Sequence, residues 1–364
     1  KDTLMTRGFT ATALAVLAAG PALADVTPGQ VWDDISGYMA DFGYSVTATE
    51  TLSGNTLTVS DVQMSAPDLG DGGSFTFSMD EVVLQQQPGG TVAVSFPETM
   101  PIAFSFVPEP GEPALNAVIN YTHSGLQMVV SGTPGALVYD YTANQLAMEL
   151  VEVGTRGVLL TREVARFSAD MGPVSGQSTV TQAGDAREIA QQMSFGSIAY
   201  DLHFADPEGS GAVSVAGDMT GVAASGATTL PSGLDMSDPA QIFEAGLSGS
   251  GAFTHNGSRV SFTVSEDGET VNGQQSSASG RFSAGFSGDA ISYLLASTGT
   301  TFDLQVPDFP FPIAAQLGES LFELAFPLAP ADGGGPREAT LRLTLGDLSV
   351  SDLLWGLVDA GNVL

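Results

Sequence analysis

The stretch "SRVSFTVSEDGETV", residues 258–271, shows the pattern that decides the fold of this chain. Val260, Phe262 and Val264 alternate with polar residues, and Asp267-Gly268 interrupts the run. Alternation with a period of two places the three apolar side chains on one face of an extended chain, which predicts a half-buried β-strand. One apolar face and one polar face are typical of antiparallel sheets.

The same period of two recurs along the chain between glycine, proline, asparagine and aspartate residues. The apolar positions that follow it are Leu57, Val59, Phe75, Phe77, Met79, Val92, Val94, Phe96, Ile102, Phe104 and Phe106. A spacing of roughly 10–15 residues between strands favours hairpins over strand–helix–strand units. The sequence therefore predicts a mainly β fold, a long antiparallel meander that forms a curved open sheet or a sandwich with a few short packing helices.

Four short segments predict helices. The clearest covers residues 28–42, where Thr27 and Gln30 form a capping box and Trp32 begins an apolar stripe. That stripe fits an ordinary core face better than a partner-docking face. Shorter helices are predicted from about residue 237, over 289–297, and after Ser351, where Trp355 is expected to pack against the last sheet.

The first residues predict export. Arg7 precedes an apolar run from Phe9 to Leu17, and Ala22-Leu23-Ala24 is a small-residue cleavage site. Because Pro21 ends this run well short of the about 20 apolar residues of a membrane-spanning helix, we interpret residues 1–24 as a cleaved signal peptide rather than an anchor. The expected location is the periplasm.

Composition narrows the classes of partner. The formal net charge is −31, Lys1 is the only lysine, and the chain contains no cysteine. Phosphate backbones and anionic membrane surfaces are bound by clustered Lys and Arg, so nucleic acid is not an expected partner. The acids are dispersed, which fits solubility better than a specific acidic site. An exported chain without cysteine must rely on its apolar core for stability.

The search for catalytic residues, cofactor sites and metal sites assigns none. Because its only lysine, Lys1, lies in the predicted signal peptide and cysteine is absent, the mature chain is expected to have no Walker A loop, Schiff-base lysine or thiolate. His123, His203 and His255 are far apart in the sequence, so a metal site would require the fold to gather them. The segment "DLGDGG", residues 68–73, departs from the EF-hand pattern and fits a hairpin turn better than a calcium loop.

The C-terminal segment 308–361 resembles a known family. The segments "DFPFPI…LFELAFPLAP", residues 308–330, and "LRLTLGDLSVSDLLWGLVDAG", residues 341–361, are similar to the C-terminal half of domain of unknown function family 2125 (DUF2125), a family of exported alphaproteobacterial proteins. The matching positions are Asp347, Leu348, Ser351, Trp355, Asp359 and Gly361. The resemblance implies an exported β-rich protein, carries over no catalytic residue, and implies further strands after Leu364.

The sequence predicts that the chain is divided into two halves. The Gly-, Ala- and Ser-rich segment 206–233 suggests a boundary between halves 25–205 and 206–364, although a small-residue strand within one sheet would look the same.

The favoured hypothesis is a non-catalytic protein that binds a lipid or another hydrophobic ligand on a curved sheet, or acts in envelope maintenance. Phe75, Phe77, Phe104 and Phe106 are the expected lining or core positions. The alternative is a glycan-directed module or hydrolase that uses acidic residues.

Overall fold

The computed structural model describes residues 25–41, 43–66, 74–106, 113–207, 209, 211–232, 245–307, 309, 311–328 and 338–358. Its helices are α1 (Pro28–Asp41) and α2 (Asp352–Val358). Its strands are β1 (Ser45–Ser53), β2 (Thr56–Ala66), β3 (Ser74–Gln86), β4 (Val92–Ser95), β5 (Thr99–Phe106), β6 (Leu115–Ser124), β7 (Gln127–Thr133), β8 (Ala136–Ala143), β9 (Gln145–Thr155), β10 (Val158–Leu159), β11 (Ala165–Ala183), β12 (Ala186–Ala205), β13 (Gly211–Pro231), β14 (Ser248–His255), β15 (Ser258–Glu266), β16 (Glu269–Ser277), β17 (Ser279–Phe286), β18 (Ala290–Gln305), β19 (Ile313–Pro327), β20 (Thr340–Gly346) and β21 (Ser349–Val350).

The 21 strands form one antiparallel sheet, which confirms the predicted mainly β fold. Long strands pair with two shorter strands that lie end to end: β11 pairs with both β8 and β9, and β13 with both β14 and β15. Within the described residues, β1 pairs only with β2, and β20 and β21 pair only with β19. Among the described strands the sheet is therefore open, with an edge at each end.

A line of irregular positions, here called the crease, crosses the strands. In the long strands the register is regular on either side of the crease, but at the crease one pair of residues is skipped; Ser60 pairs with Glu81 and Val62 with Met79, for example. The skipped positions are Asp61, Asp80, Pro173, Gly196, Gly221, Gly299 and Gly318. Asp61, Gly221 and Gly299 have positive φ, a conformation in which glycine carries no Cβ penalty.

The crease divides the sheet into two arms. The first arm contains β4, β7, β8, β14, β17 and β20, and the second contains β5, β6, β9, β15, β16 and β21; the long strands cross both. Because every long strand skips one residue at the crease, its side-chain alternation changes phase there. In β12 the apolar residues Met193 and Phe195 precede Gly196, and Ile198 and Tyr200 follow it. The phase change keeps apolar side chains on the same face of both arms.

Helix α1 covers the first arm near β1 to β4. The predicted capping box is present, since the Thr27 N–H donates to Gln30 Oε1 at 2.9 Å and the Gln30 N–H donates to Thr27 Oγ1 at 3.4 Å. Gly43, with φ of 80°, follows the helix. Val31 and Trp32 are buried in a cluster with apolar residues of the sheet. Those sheet residues include Leu57, Val59, Val82, Leu84, Val92, Val94, Val130, Leu137 and Tyr139.

Two of the sequence predictions are wrong. The segment 289–297 is not helical; its residues 290–297 belong to β18, which pairs with β17 and β19 through Ile291, Tyr293 and Leu295. Cross-strand pairing on both sides satisfies this backbone, so strand alternation prevails over helical spacing. Trp355 is 51% exposed rather than buried against the sheet, although α2 does begin after Ser351, whose carbonyl accepts from the Trp355 N–H at 3.0 Å.

Other predictions concern segments that the structure describes in part or not at all. The helix expected from about residue 237, the 68–73 turn and Phe42 lie outside the described residues. Of the segment 206–233, residues 211–231 form β13, which pairs with β12 on one side and with β14 and β15 on the other. The division of the chain into two halves stays a prediction.

Candidate functional site

An apolar row runs across the first arm from the first strand to the last. Directly paired residues share a face of the sheet, so the row can be followed from register partner to register partner. Its members are Leu52, Leu57, Leu84, Val94, Met128, Tyr141, Gly176, Met193, Ala224, Phe253, Phe282, Leu295, Phe322 and Leu343. At about 4.8 Å per strand, its length is on the order of 60 Å. We call the face that carries this row the apolar face.

The second arm continues the apolar face. One of its rows consists of Met100, Tyr121, Met148, Ala169, Tyr200, Gly217, Val260, Gln275, Phe302, Ala315 and Val350. Another row passes through Phe167, Leu202, Val215 and Phe262. Both arms therefore present apolar side chains to the same side of the sheet.

A groove of about 390 Å³ lies on the apolar face at the crease. Phe77, Met100 and Ile102 line it from the second arm. Residues of the first arm, Met128 and Tyr141 among them, line its other wall. Because side chains of both arms wall one cavity, the arms turn toward one another on this side. The volume of the groove lies within the range of small-molecule binding sites. The lining of such sites is mostly apolar, as it is here.

The apolar face is covered at one end and open at the other. Under α1 the members of the row are buried; Leu84, for example, is 0% exposed. Beyond β14 the same row is exposed, with Leu295 at 56%, Phe322 at 39% and Leu343 at 66%. Their neighbours on this face are exposed as well: Phe286, Tyr293, Phe326, Leu341 and Leu345 on the first arm, and Leu202, Phe204, Val213, Val264 and Phe302 on the second. We call the part of the apolar face carried by β12 to β20 the open half.

The opposite face of the sheet is polar. A cavity of about 860 Å³ on the first arm is lined there by amide and hydroxyl side chains, among them Gln127, Ser175, Gln177 and Ser194. The Gln177 amide donates to Asp140 Oδ1 at 2.7 Å, and Asp140 is the one carboxylate among the described lining residues. Convergent carboxylates, which a hydrolytic cleft would need, are therefore not present in this lining.

Of the four phenylalanines that the sequence singled out, Phe77 and Phe104 have described side chains, and both lie on the apolar face. Phe77 lines the groove and packs against the buried cluster. Phe104 is 36% exposed and lies two residues beyond Ile102 on β5. The side chains of Phe75 and Phe106 lie outside the described ones. Sequence reasoning thus found the groove end of the site but missed the exposed residues of β17 to β20.

The three histidines lie in separate strands. His123 is in β6 and His255 in β14, so β9, β11, β12 and β13 lie between them, a distance of about 24 Å across the sheet. His203 bonds instead to Ser214 Oγ at 2.8 Å and to the Glu163 carbonyl at 3.0 Å. Among the described residues, no group of three or more His, Asp or Glu side chains is placed to hold a metal ion.

A buried ionic cluster fastens α1 to the sheet. Arg187 of β12 donates to Asp34 Oδ1 at 2.7 Å and to the Asp34 carbonyl at 3.2 Å, and its Nε lies 3.3 Å from Asp41 Oδ2. The Tyr139 hydroxyl donates to Asp34 Oδ2 at 2.6 Å. Burial, together with this bond to a carboxylate, raises the pKa of Tyr139. The cluster lies where the covered part of the apolar face meets the open half.

Comparisons of the sequence and the fold with known proteins found no match. No family model matches the chain, no curated protein matches its sequence, and no solved structure matches its fold. The resemblance to DUF2125 therefore stays a prediction. None of the described helices has the length and hydropathy needed to cross a membrane.

Proposed function

We propose that the protein is exported to the periplasm and binds a lipid, through its acyl chain, on the open half of the apolar face. The exposed part of the apolar row, carried by β17 to β20, is the observation behind this proposal. The acyl chain would lie along the strands of the open half, beside the part of the apolar face that α1 covers near β1. The proposed role is binding or carriage, without a covalent step.

The exposed apolar patch indicates a binding site rather than ordinary protein surface. Single exposed hydrophobic residues are common on proteins, but contiguous patches larger than a few hundred Å² mark interaction sites. Phe282, Leu295, Phe322 and Leu343 are direct cross-strand neighbours and are all exposed. Aromatic side chains expose large areas, so the open half is a patch of the size that marks such sites.

At the covered end of the same face, the apolar row is buried by packing against α1. There, the apolar stripe of α1 packs on Leu57, Val59 and Val82 and brings each to 4% exposure or less. The row continues without a change of residue class from this covered part into the open half. An acyl chain offers the open half the same kind of contact, and each buried CH₂ contributes about 0.8 kcal/mol.

The glycan-directed alternative has less support. It calls for carboxylates that converge in a cleft and for exposed aromatic platforms. The polar cavity has amide and hydroxyl groups and Asp140, while the exposed phenylalanines lie on the other face of the sheet.

Photoaffinity labelling of the exported chain tests the proposed function. A monoacylglycerol with a diazirine in its acyl chain would be cross-linked to protein purified without detergent, and the labelled residues mapped by peptide mass spectrometry. We expect labels on alternate residues of β18 and β19, at Leu295 and Phe322, that an unmodified monoacylglycerol displaces. Labels confined to the polar face, or insensitive to the competitor, would contradict the proposal. N-terminal sequencing of the same sample tests export, and Asp25 is the expected first residue.

A further inference from the structure

Most strand arginines of the open half lie on one face of the sheet. Besides Arg187 of β12, the described arginines on strands of the open half are Arg259, Arg281 and Arg342. Each directly precedes a member of an apolar row, namely Val260, Phe282 and Leu343. Since successive side chains of a strand point to opposite faces, all three guanidinium groups lie on the polar face. Arg342 is paired there with Glu323 across β19 and β20.

The ends of the apolar face, in contrast, carry carboxylates. Glu266 and Glu269 are direct register partners at the β15–β16 hairpin. They lie two residues beyond Val264 and Val271, so they share the apolar face with these valines, and both are exposed. Asp267 lies in the turn between them. On the first arm, Asp289 lies in the turn after β17. Among the described arginines on strands of the open half, Arg187 alone lies on the apolar face, and its charge is balanced there by Asp34 and Asp41 of α1.

We infer that the lipid of the open half has a head group without net negative charge. This inference rests on the proposed function, because it specifies the ligand of that same site. Acyl chains on the apolar rows place the head group at an end of the strands, close to the hairpin turns. An anionic head group near Glu266 and Glu269 is repelled by two carboxylates, and the net charge of −31 adds to this repulsion at low salt. A neutral or zwitterionic head group, or a cationic one, meets no such penalty.

Two single-chain lipids that differ in net charge test the inference. Lysophosphatidylcholine and lysophosphatidylglycerol with the same acyl chain, both below their critical micelle concentrations, would compete with a fluorescent monoacylglycerol for the purified protein. We expect the zwitterionic lipid to bind about tenfold more tightly at low salt, a difference of about 1.4 kcal/mol. The preference should shrink in about 1 M salt, where the Debye length is about 3 Å.

A double variant and a matched control locate the effect. Glu266→Gln with Glu269→Gln should raise affinity for lysophosphatidylglycerol and leave affinity for lysophosphatidylcholine unchanged. Glu188→Gln, at an exposed position of β12 next to Arg187 and so on the polar face, should change neither. Equal or tighter binding of lysophosphatidylglycerol by the unmodified protein would overturn the inference while leaving the proposed function standing. Failure of all three lipids to bind would overturn both.

Discussion

Removal of Arg187 should destabilise the protein far more than removal of any other paired arginine of the described chain. Its side chain is 11% exposed, and its partners Asp34 and Asp41 are 19% and 26% exposed. Arg187→Ala leaves Asp34 with the Tyr139 hydroxyl and no compensating charge. Breaking a buried ion pair from one side costs about 3–5 kcal/mol, because the remaining charge stays buried. The free energy of unfolding should fall by that amount.

Urea unfolding monitored by tryptophan fluorescence measures this loss. Trp32 lies on α1, is buried, and donates from Nε1 to Glu50 Oε1 at 3.0 Å, so its emission reports the docking of α1. Arg162→Ala is the control, since Arg162 and its partner Glu149 are 67% and 49% exposed. Exposed pairs contribute about 0–1 kcal/mol. If the two variants lost equal stability, the structural role given to the buried cluster would be refuted.

Three further substitutions test the open half, the crease and the buried tyrosine. Phe322→Ser should weaken binding of a monoacylglycerol roughly 30-fold, because 39% of a side chain of about 200 Å² contributes about 2 kcal/mol; Val129→Ser, equally exposed on the polar face, should leave binding unchanged by the same titration. Gly221→Ala forces a residue with a Cβ to φ of 55° and should cost about 1–2 kcal/mol in urea unfolding, whereas Gly226→Ala, in the same strand without positive φ, should cost less. Because the pKa of Tyr139 is raised in the folded state, the unfolded chain loses this proton first as pH rises above about 10, and stability falls with pH; unfolding of Tyr139→Phe from pH 9 to 11 should show a smaller fall, and an unchanged slope would contradict the assignment.

The strands were predictable because their signal is local. Alternation in Val260, Phe262 and Val264 and in Leu57 and Val59 depends only on the two-residue period of an extended chain. The crease has a local signal too, though a subtler one. In "MSFGSIAYDLHF", residues 193–204, the apolar residues fall on odd positions before Gly196 and on even positions after it. A change of phase at a glycine is what a residue skipped in the pairing requires.

The misassigned helix over 289–297 shows where local reasoning fails. Ile291, Leu294 and Leu295 have the spacing of a helical face, while Ile291, Tyr293 and Leu295 alternate as in a strand. Only pairing with β17 and β19, which is not visible locally, decides between them. The same limit applies to the cluster that joins Arg187 to Asp34, which are 153 residues apart in the chain, and to the contrast between a covered and an open apolar face.

The most direct test of the central claim is native mass spectrometry of the full-length mature protein, purified from the periplasm without detergent and followed by lipid extraction. The account predicts a reproducible adduct with the mass of a lipid, which extraction releases and identifies, and a weaker adduct in the Phe322→Ser variant. A clean mass of the protein alone, together with an extract that contains no lipid, would contradict the claim that the open half of the apolar face is a lipid-binding surface.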